Sequence, residues 1–269
     1  MKVFPILVAV GVMGGGVLHT GATPSADVPQ GTDFVWKGRI DGGKSIEVKN
    51  INGPVHAVRA EGSQVEVVAV KQAGRKGDPG DVTFEVVEHG DGVTICAVYP
   101  NALDKEPNEC RPGSGGRMNN RDNDTKVEFT VRLPAGVNLA ARTVNGDVDA
   151  REIDGNVYAL TVNGDVDVAA AGYVEARTVN GSIEAVMGRG DWRGALELHT
   201  VNGGVTVTLP SSVGVTLSAS TVNGSFDSDF PVTVQGRFGP KKISGTIGDG
   251  GRELQIETVN GSIRLKKQQ

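Results

Sequence analysis

Thr143-Val144-Asn145-Gly146-Asp147-Val148 decides how this chain folds, because its Thr-Val-Asn-Gly core returns at residues 161, 178, 200, 221 and 258. Ile243-Ser244-Gly245-Thr246-Ile247 reads as a degraded copy, and Asn50-Ile51-Asn52-Gly53-Pro54-Val55 as an early relative. With Asn145, Asn163, Asn180, Asn202, Asn223, Ser244 and Asn260 as markers, the steps are 18, 17, 22, 21, 21 and 16 residues. A motif that returns at this spacing marks a repeat architecture, in which each unit buries its apolar face only against its neighbours.

Asn-Gly tolerates positive φ at both positions, so each copy is expected to mark a tight turn between two extended segments. Apolar or small residues fall in phase on both sides of the turn: Ala141 and Thr143 match Val148 and Ala150, and Ala176 and Thr178 match Ile183 and Ala185. Two architectures satisfy this pattern. In an antiparallel hairpin meander, Arg142 faces Asp149, Arg177 faces Glu184 and Glu257 faces Arg264, opposite-charge pairs worth about 0.2–1 kcal/mol each. In a β-solenoid resembling a parallel β-helix, the turns stack along an edge and Thr, Val and Asn form ladders at about 4.8 Å. The solenoid explains why Thr and Val recur along with Asn-Gly, but it stacks Asp149, Asp167 and Glu184 as like charges. Local pairing alone slightly favours the hairpins.

The chain opens with Lys2, an apolar run from Val3 to Leu18 and small residues at Thr20-Gly21-Ala22, the three parts of a secretory signal peptide over residues 1–22. Cleavage is expected after Ala22, with Ala26 as second choice. No later run is apolar enough to span a bilayer, so no membrane span is expected after cleavage. The remaining 247 or so residues carry 26 basic and 32 acidic side chains, a balance that excludes nucleic acid as a natural partner. Residues 23–33 read as a flexible leader, and strand-like alternation starts at Phe34 and continues through Val65–Val70, Val82–Val87 and Val93–Val98. Cys96 and Cys110, 14 apart in an exported chain, predict one disulfide. It ties back a long polar loop over Pro100–Asp124, so that residues 34–125 form an N-terminal β cap region, 126–265 the repeats and 266–269 a polar tail. Only 4% of residues are aromatic, so the core must be built from small branched side chains.

Leu133-Pro134-Ala135-Gly136-Val137, the Thr-Val-Asn-Gly-Asp-Val turns and the ending Leu254-Gln255-Ile256-Glu257-Thr258-Val259-Asn260-Gly261-Ser262-Ile263 closely resemble the DUF4097 group of adhesin-type proteins with β-strand repeats, akin to the head-GIN adhesins. The resemblance spans about residues 34–265. It implies a β-solenoid of about seven repeats of 16–22 residues and reverses the preference for hairpins. It supplies no catalytic residue, and the loop between Cys96 and Cys110 departs from its core pattern.

No catalytic, cofactor or metal set emerges. His56, His89 and His199 are scattered, and Gly188-Arg189-Gly190-Asp191-Trp192-Arg193-Gly194 lacks the spacing and following helix of a dinucleotide loop. Asp147, Asp149, Asp165 and Asp167 have the oxygen ligands that Ca²⁺ prefers, yet strand-face aspartates beside a turn are commonly solvated. Arg189, Gly190, Asp191 and Trp192 form the candidate binding loop, an Arg-Gly-Asp tripeptide beside a tryptophan. The sequence therefore points to an exported, extracytoplasmic, non-enzymatic binding module, adhesin-like, whose partner is an envelope or surface protein or glycan. The alternatives are a self-assembling structural solenoid and a polysaccharide lyase or hydrolase. Since every motif residue has a structural duty, function is expected where the repeats differ, in the 97–125 loop and the 186–195 insertion.

Overall fold

The computed structural model describes residues 33–101, 106–234 and 242–269, so the expected signal segment and all of the leader but Asp33 lie outside it. Among the described residues no helix is long and apolar enough to cross a membrane. The chain is all β, with sheets of ten and eleven strands sharing one apolar core. Each repeat gives one strand to each sheet. Asn138–Arg142 lies in the eleven-stranded sheet, the chain bends at Thr143-Val144-Asn145-Gly146, and Val148–Ile153 continues in the ten-stranded sheet. Val157–Leu160 with Val166–Ala170, Val174–Arg177 with Ile183–Met187, and Ala195–His199 with Val205–Leu209 repeat the pattern. Successive strands pair in parallel, Val148 on Val166 on Ile183 on Val205.

This solenoid-like winding overturns the hairpin alternative. Among the described residues, antiparallel pairing is confined to the two ends of the stack and to a small hairpin of Glu109–Cys110 and Gly116–Arg117. The charge pairs that hairpins require do not form: Arg142 Nε donates to Glu47 Oε1 at 2.8 Å, and Asp149 lies 3.1 Å from His56. Asp149, Asp167 and Glu184 do stack in register. On this exposed face the Arg151 guanidinium beside Asp167 offsets that repulsion, and a His56 ring nitrogen lies within hydrogen-bond reach of Asp149.

The corners differ from the expected turn. None of the Thr-Val-Asn-Gly copies has a positive φ at Asn or Gly; only Gly53, in the early relative, does, at 119°. Crowding requires the glycine instead. A Cβ on Gly146 would fall deep inside the contact distance of Gly53 O, and the same holds for Gly164 against Gly146, Gly181 against Gly164 and Gly203 against Gly181. That carbonyl also accepts a buried hydroxyl from the next coil: Thr143 Oγ1 donates to Gly53 O at 2.9 Å, Thr161 to Gly146 O at 2.8 Å and Thr178 to Gly164 O at 3.0 Å. Outside the threonines runs a ladder of carboxamides. Asn145 Nδ2 donates to Asn52 Oδ1 at 2.9 Å, and Asn163, Asn180 and Asn202 each donate to the preceding asparagine at 2.8 Å. A carboxamide carries both a donor and an acceptor, so it can link neighbours on either side, and a head-to-tail run polarises its members cooperatively. Three of the corner valines look outward, Val179, Val222 and Val259 being 39, 49 and 36% exposed, while Val144 packs partly against the core.

Alternation fills the interior. Val166–Ala170 and Val205–Leu209 bury every second residue. Ala141, Ala159 and Ala176 line one inner column, which passes into Leu198 and Ile256 further along, so the core widens toward the C-terminal end.

Chain order and stack order part company there. The corner asparagines stack as 52, 145, 163, 180, 202, 260, 223. The final coil, Arg252–Asn260 with Ile263–Lys267, is slotted between the coil ending at Val205–Leu209 and that of Val215–Asn223 with Phe226–Ser228. The degraded copy at Ile243–Ile247 is not a corner. It runs straight through the strand Lys242–Ile247, antiparallel to Val215–Asn223 with Ser244 opposite Ser218, because it lacks the Asn-Gly pair that the bend needs. At the opposite end, Ser45–Lys49 and Val55–Arg59 flank the Asn52 corner, and Lys126–Leu133 pairs parallel with Val55–Arg59 and antiparallel with Val65–Gln72. Asn50 stands where the other corners have threonine and does the same work, its Nδ2 donating to Val127 O at 2.7 Å.

Candidate functional site

The interleaved last coil shapes one site. The chain crosses from Val205–Leu209 to Val215–Asn223 over the start of the inserted strand Arg252–Asn260, and the turn at 210–214 stands beside the 188–194 loop. Between them is a hollow of about 430 Å³ lined by Gly188, Arg189, Gly190, Asp191, Pro210, Ser212, Val213, Gly214 and Arg252. Glycine lets the walls approach: a Cβ on Gly190 would meet Val213 Cγ2 at 2.6 Å, and one on Gly214 would meet Gly250 O at 2.7 Å.

Of the four residues in the sequence-derived binding loop, Arg189, Gly190 and Asp191 line the hollow and Trp192 does not. Trp192 is 2% exposed, so its ring is no surface for a ligand. It anchors the loop: its indole N–H donates to Glu253 O at 2.9 Å, and Arg252 Nε donates to Trp192 O at 3.0 Å. Arg189 Nε lies 3.8 Å from Asp191 Oδ1, beyond hydrogen-bond reach, and both side chains are more than half exposed. The hollow therefore presents two guanidiniums, one carboxylate, one hydroxyl and glycine backbone, with no histidine or cysteine. Sequence reasoning found the 189–192 loop from its extra length but missed Ser212 and Arg252, since no sequence signal brings three distant segments together.

The second region singled out in the sequence is a cover, not an opening. Cys96 and Cys110 are bonded, their Cα atoms 5.8 Å apart, and the hairpin after Cys110 lies over the outer face of the eleven-stranded sheet. Beneath it, Lys49 Nζ donates to Arg111 O at 2.5 Å and Gly115 O at 3.0 Å. Glu47 accepts from Thr94 Oγ1 at 2.8 Å, Gly113 N at 2.9 Å and Arg142 Nε at 2.8 Å. Burial holds the Lys49 amine below its ordinary range, with Glu47 opposing that effect. Further along the same face, burial pushes the Glu175 carboxyl up against the opposing pull of Arg177, 3.5 Å away.

The aspartates considered for calcium have structural partners. Asp147 Oδ1 accepts the Asp165 amide at 2.8 Å and Asp165 Oδ1 the Ser182 amide at 2.7 Å, each bridging one coil to the next, while Asp149 and Asp167 face His56 and Arg151. Among the described residues no group of three or more His, Cys, Asp or Glu side chains has the geometry to hold a metal ion.

Two sheets wound from short repeats, with corner residues occupied in stacking, define a solenoid-like β-repeat protein. The chain belongs to the Toastrack DUF4097 family, whose model matches residues 27–266. No curated protein matches it. A solved structure described as a putative cell adhesion protein from Clostridium sporogenes ATCC 15579 is 11% identical, aligning 87% of this chain with 99% of that one at a TM-score of 0.40. One described as a putative adhesin from Bacteroides fragilis NCTC 9343 is 12% identical over 86% and 96%, at 0.25. A third, described as a putative lipid binding protein from Parabacteroides distasonis ATCC 8503, is 12% identical over 88% and 98%, at 0.26. Likeness of this extent fixes neither ligand nor activity.

Proposed function

We propose that this chain is an exported, non-enzymatic β-solenoid of about seven coils that works outside the cytoplasm as an adhesin-like binding module for an envelope or surface glycan or protein. One observation carries the reading: the residues common to the repeats are consumed in stacking, while the loops in which coils differ build a charged, glycine-walled hollow around Arg189, Asp191 and Arg252. The disulfide and the secretory pattern of residues 1–22 support the location. The absence of a histidine, cysteine or paired acid from the hollow's lining supports recognition over catalysis. The test is retention of the immobilised full chain on fractionated envelope material from its own source, alongside adhesion of a deletion strain. Capture of a discrete envelope component and reduced adhesion are expected. No captured component together with unchanged adhesion overturns the proposal.

A further inference from the structure

The chemistry of the hollow narrows the ligand, given the binding-module reading above. Its volume of about 430 Å³ falls within the range of small-molecule sites, roughly 300–1,000 Å³, and suits one or two sugar units better than an extended polymer face. The polar groups on its wall are of two kinds. Arg189 and Arg252 come from separate elements and bring two guanidiniums to one space. Arg252 is fixed by its Nε contact with Trp192 O, and no described group takes its terminal nitrogens. Asp191 and Arg189 form a loose, solvent-exposed ion pair at 3.8 Å, too long for a hydrogen bond, so each keeps its hydrogen-bonding capacity for a ligand.

Each simple ligand class leaves one kind unsatisfied. Acetate or an acidic peptide side chain suits the guanidiniums but offers Asp191 no donor, and phosphate offers a hydroxyl only from the same small group that carries its charge, so it cannot span both. A neutral sugar offers hydroxyl donors to Asp191 but leaves both guanidiniums without a counter-charge. A ligand carrying a carboxylate and several hydroxyls satisfies both.

We infer that the hollow is a binding site for an acidic sugar of the uronic-acid class, its carboxylate held by Arg189 and Arg252 and its hydroxyls by Asp191 and Ser212. Pro210, half-buried at the rim, offers the apolar surface against which the C–H face of a sugar ring rests. The site exists because the last coil is inserted out of order: a chain stacked in sequence order would pair Val215–Asn223, not Arg252–Asn260, with Ala195–His199, and would not bring Arg252 beside Trp192 and the 188–194 loop.

The test is calorimetric titration of the full chain with D-glucuronate, D-glucose, acetate, inorganic phosphate and a short aspartate-rich peptide. Glucuronate is expected to bind with a Kd of about 1 mM. Glucose, acetate and phosphate should be at least about tenfold weaker, matching the loss of one charge-assisted contact. Arg189→Ala and Asp191→Asn, both at exposed side chains, should each weaken glucuronate about tenfold with an unchanged melting temperature. Phosphate or acetate binding as well as glucuronate would show a plain anion site and overturn the inference, as would tighter binding of the peptide or indifference to both variants. If envelope material retains the chain but glucuronate neither binds nor elutes it, the ligand class is wrong and the module stands. Glucuronate binding without envelope retention removes the module and leaves the site.

Discussion

Replacing Gly181 by alanine and by asparagine separates two explanations of the repeated corner. If the corner glycine were needed for a left-handed backbone, asparagine, which tolerates that region, would cost less than alanine. Gly181 has no positive φ, and its added Cβ would lie deep inside contact with Gly164 O. The two coils must then separate by on the order of 1 Å in a ladder spaced at about 4.8 Å. Hydrogen bonds that span that gap include Gly164 N to Asn180 O at 3.0 Å, Thr178 Oγ1 to Gly164 O at 3.0 Å and Asn180 Nδ2 to Asn163 Oδ1 at 2.8 Å. Weakening two of them costs about 1 kcal/mol each, and overpacking adds about 1–3 kcal/mol. Reduced freedom of the unfolded chain returns about 0.4–1 kcal/mol. The expected loss is roughly 2–4 kcal/mol for Gly181→Ala and no less for Gly181→Asn, a large part of the 5–15 kcal/mol typical of a folded domain. Urea unfolding followed by circular dichroism measures both. An asparagine variant clearly milder than the alanine variant, or a cost below about 1 kcal/mol for both, would refute the crowding account.

The remaining predictions concern other parts of the same architecture. Thr178→Val leaves Gly164 O without its side-chain donor and should cost about 1–3 kcal/mol in urea unfolding, whereas Thr178→Ser keeps the hydroxyl and should cost about 0.8 kcal/mol for the missing methyl. Reducing the Cys96–Cys110 bond, or the double change Cys96→Ala with Cys110→Ala, should remove about 3 kcal/mol for a loop of 14 residues. A thermal scan should then melt roughly 6–12 °C lower; an unchanged midpoint with reductant would contradict that. Because burial raises the Glu175 pKa above the ordinary glutamate range, the folded state holds the proton more tightly than the unfolded state. Its contribution to stability therefore falls as pH rises through the window above 4.5. Glu175→Gln should gain stability relative to the parent at pH 7 and lose that advantage at pH 3, which unfolding curves at the two pH values will check.

The sequence by itself determined the local grammar of the fold. Alternation such as Val166–Ala170 fixes which side chains face inward, Asn-Gly marks each corner, and the small aromatic content calls for a narrow core of the kind lined by Ala141, Ala159 and Ala176. The spacing of Cys96 and Cys110 announced their bond, and the extra length of the 188–194 loop pointed to part of the hollow. Tertiary structure alone decided the rest, because the corner motif is interchangeable between coils. Identical Thr-Val-Asn-Gly segments give every coil the same hydrogen-bonding edge, so nothing local says that Asn260 follows Asn202 in the stack and Asn223 comes last. The reason for the corner glycine was hidden in the same way, since the atom it must avoid belongs to a residue 17 positions away in the case of Gly181 and Gly164. Trp192 could not be assigned to the surface or the core from its own neighbours, because the carbonyl of Glu253 that accepts its indole N–H arrives only when the last coil is inserted. Sequence sets what a residue can do within its own coil; which coil lies next to it is settled by packing across the whole stack.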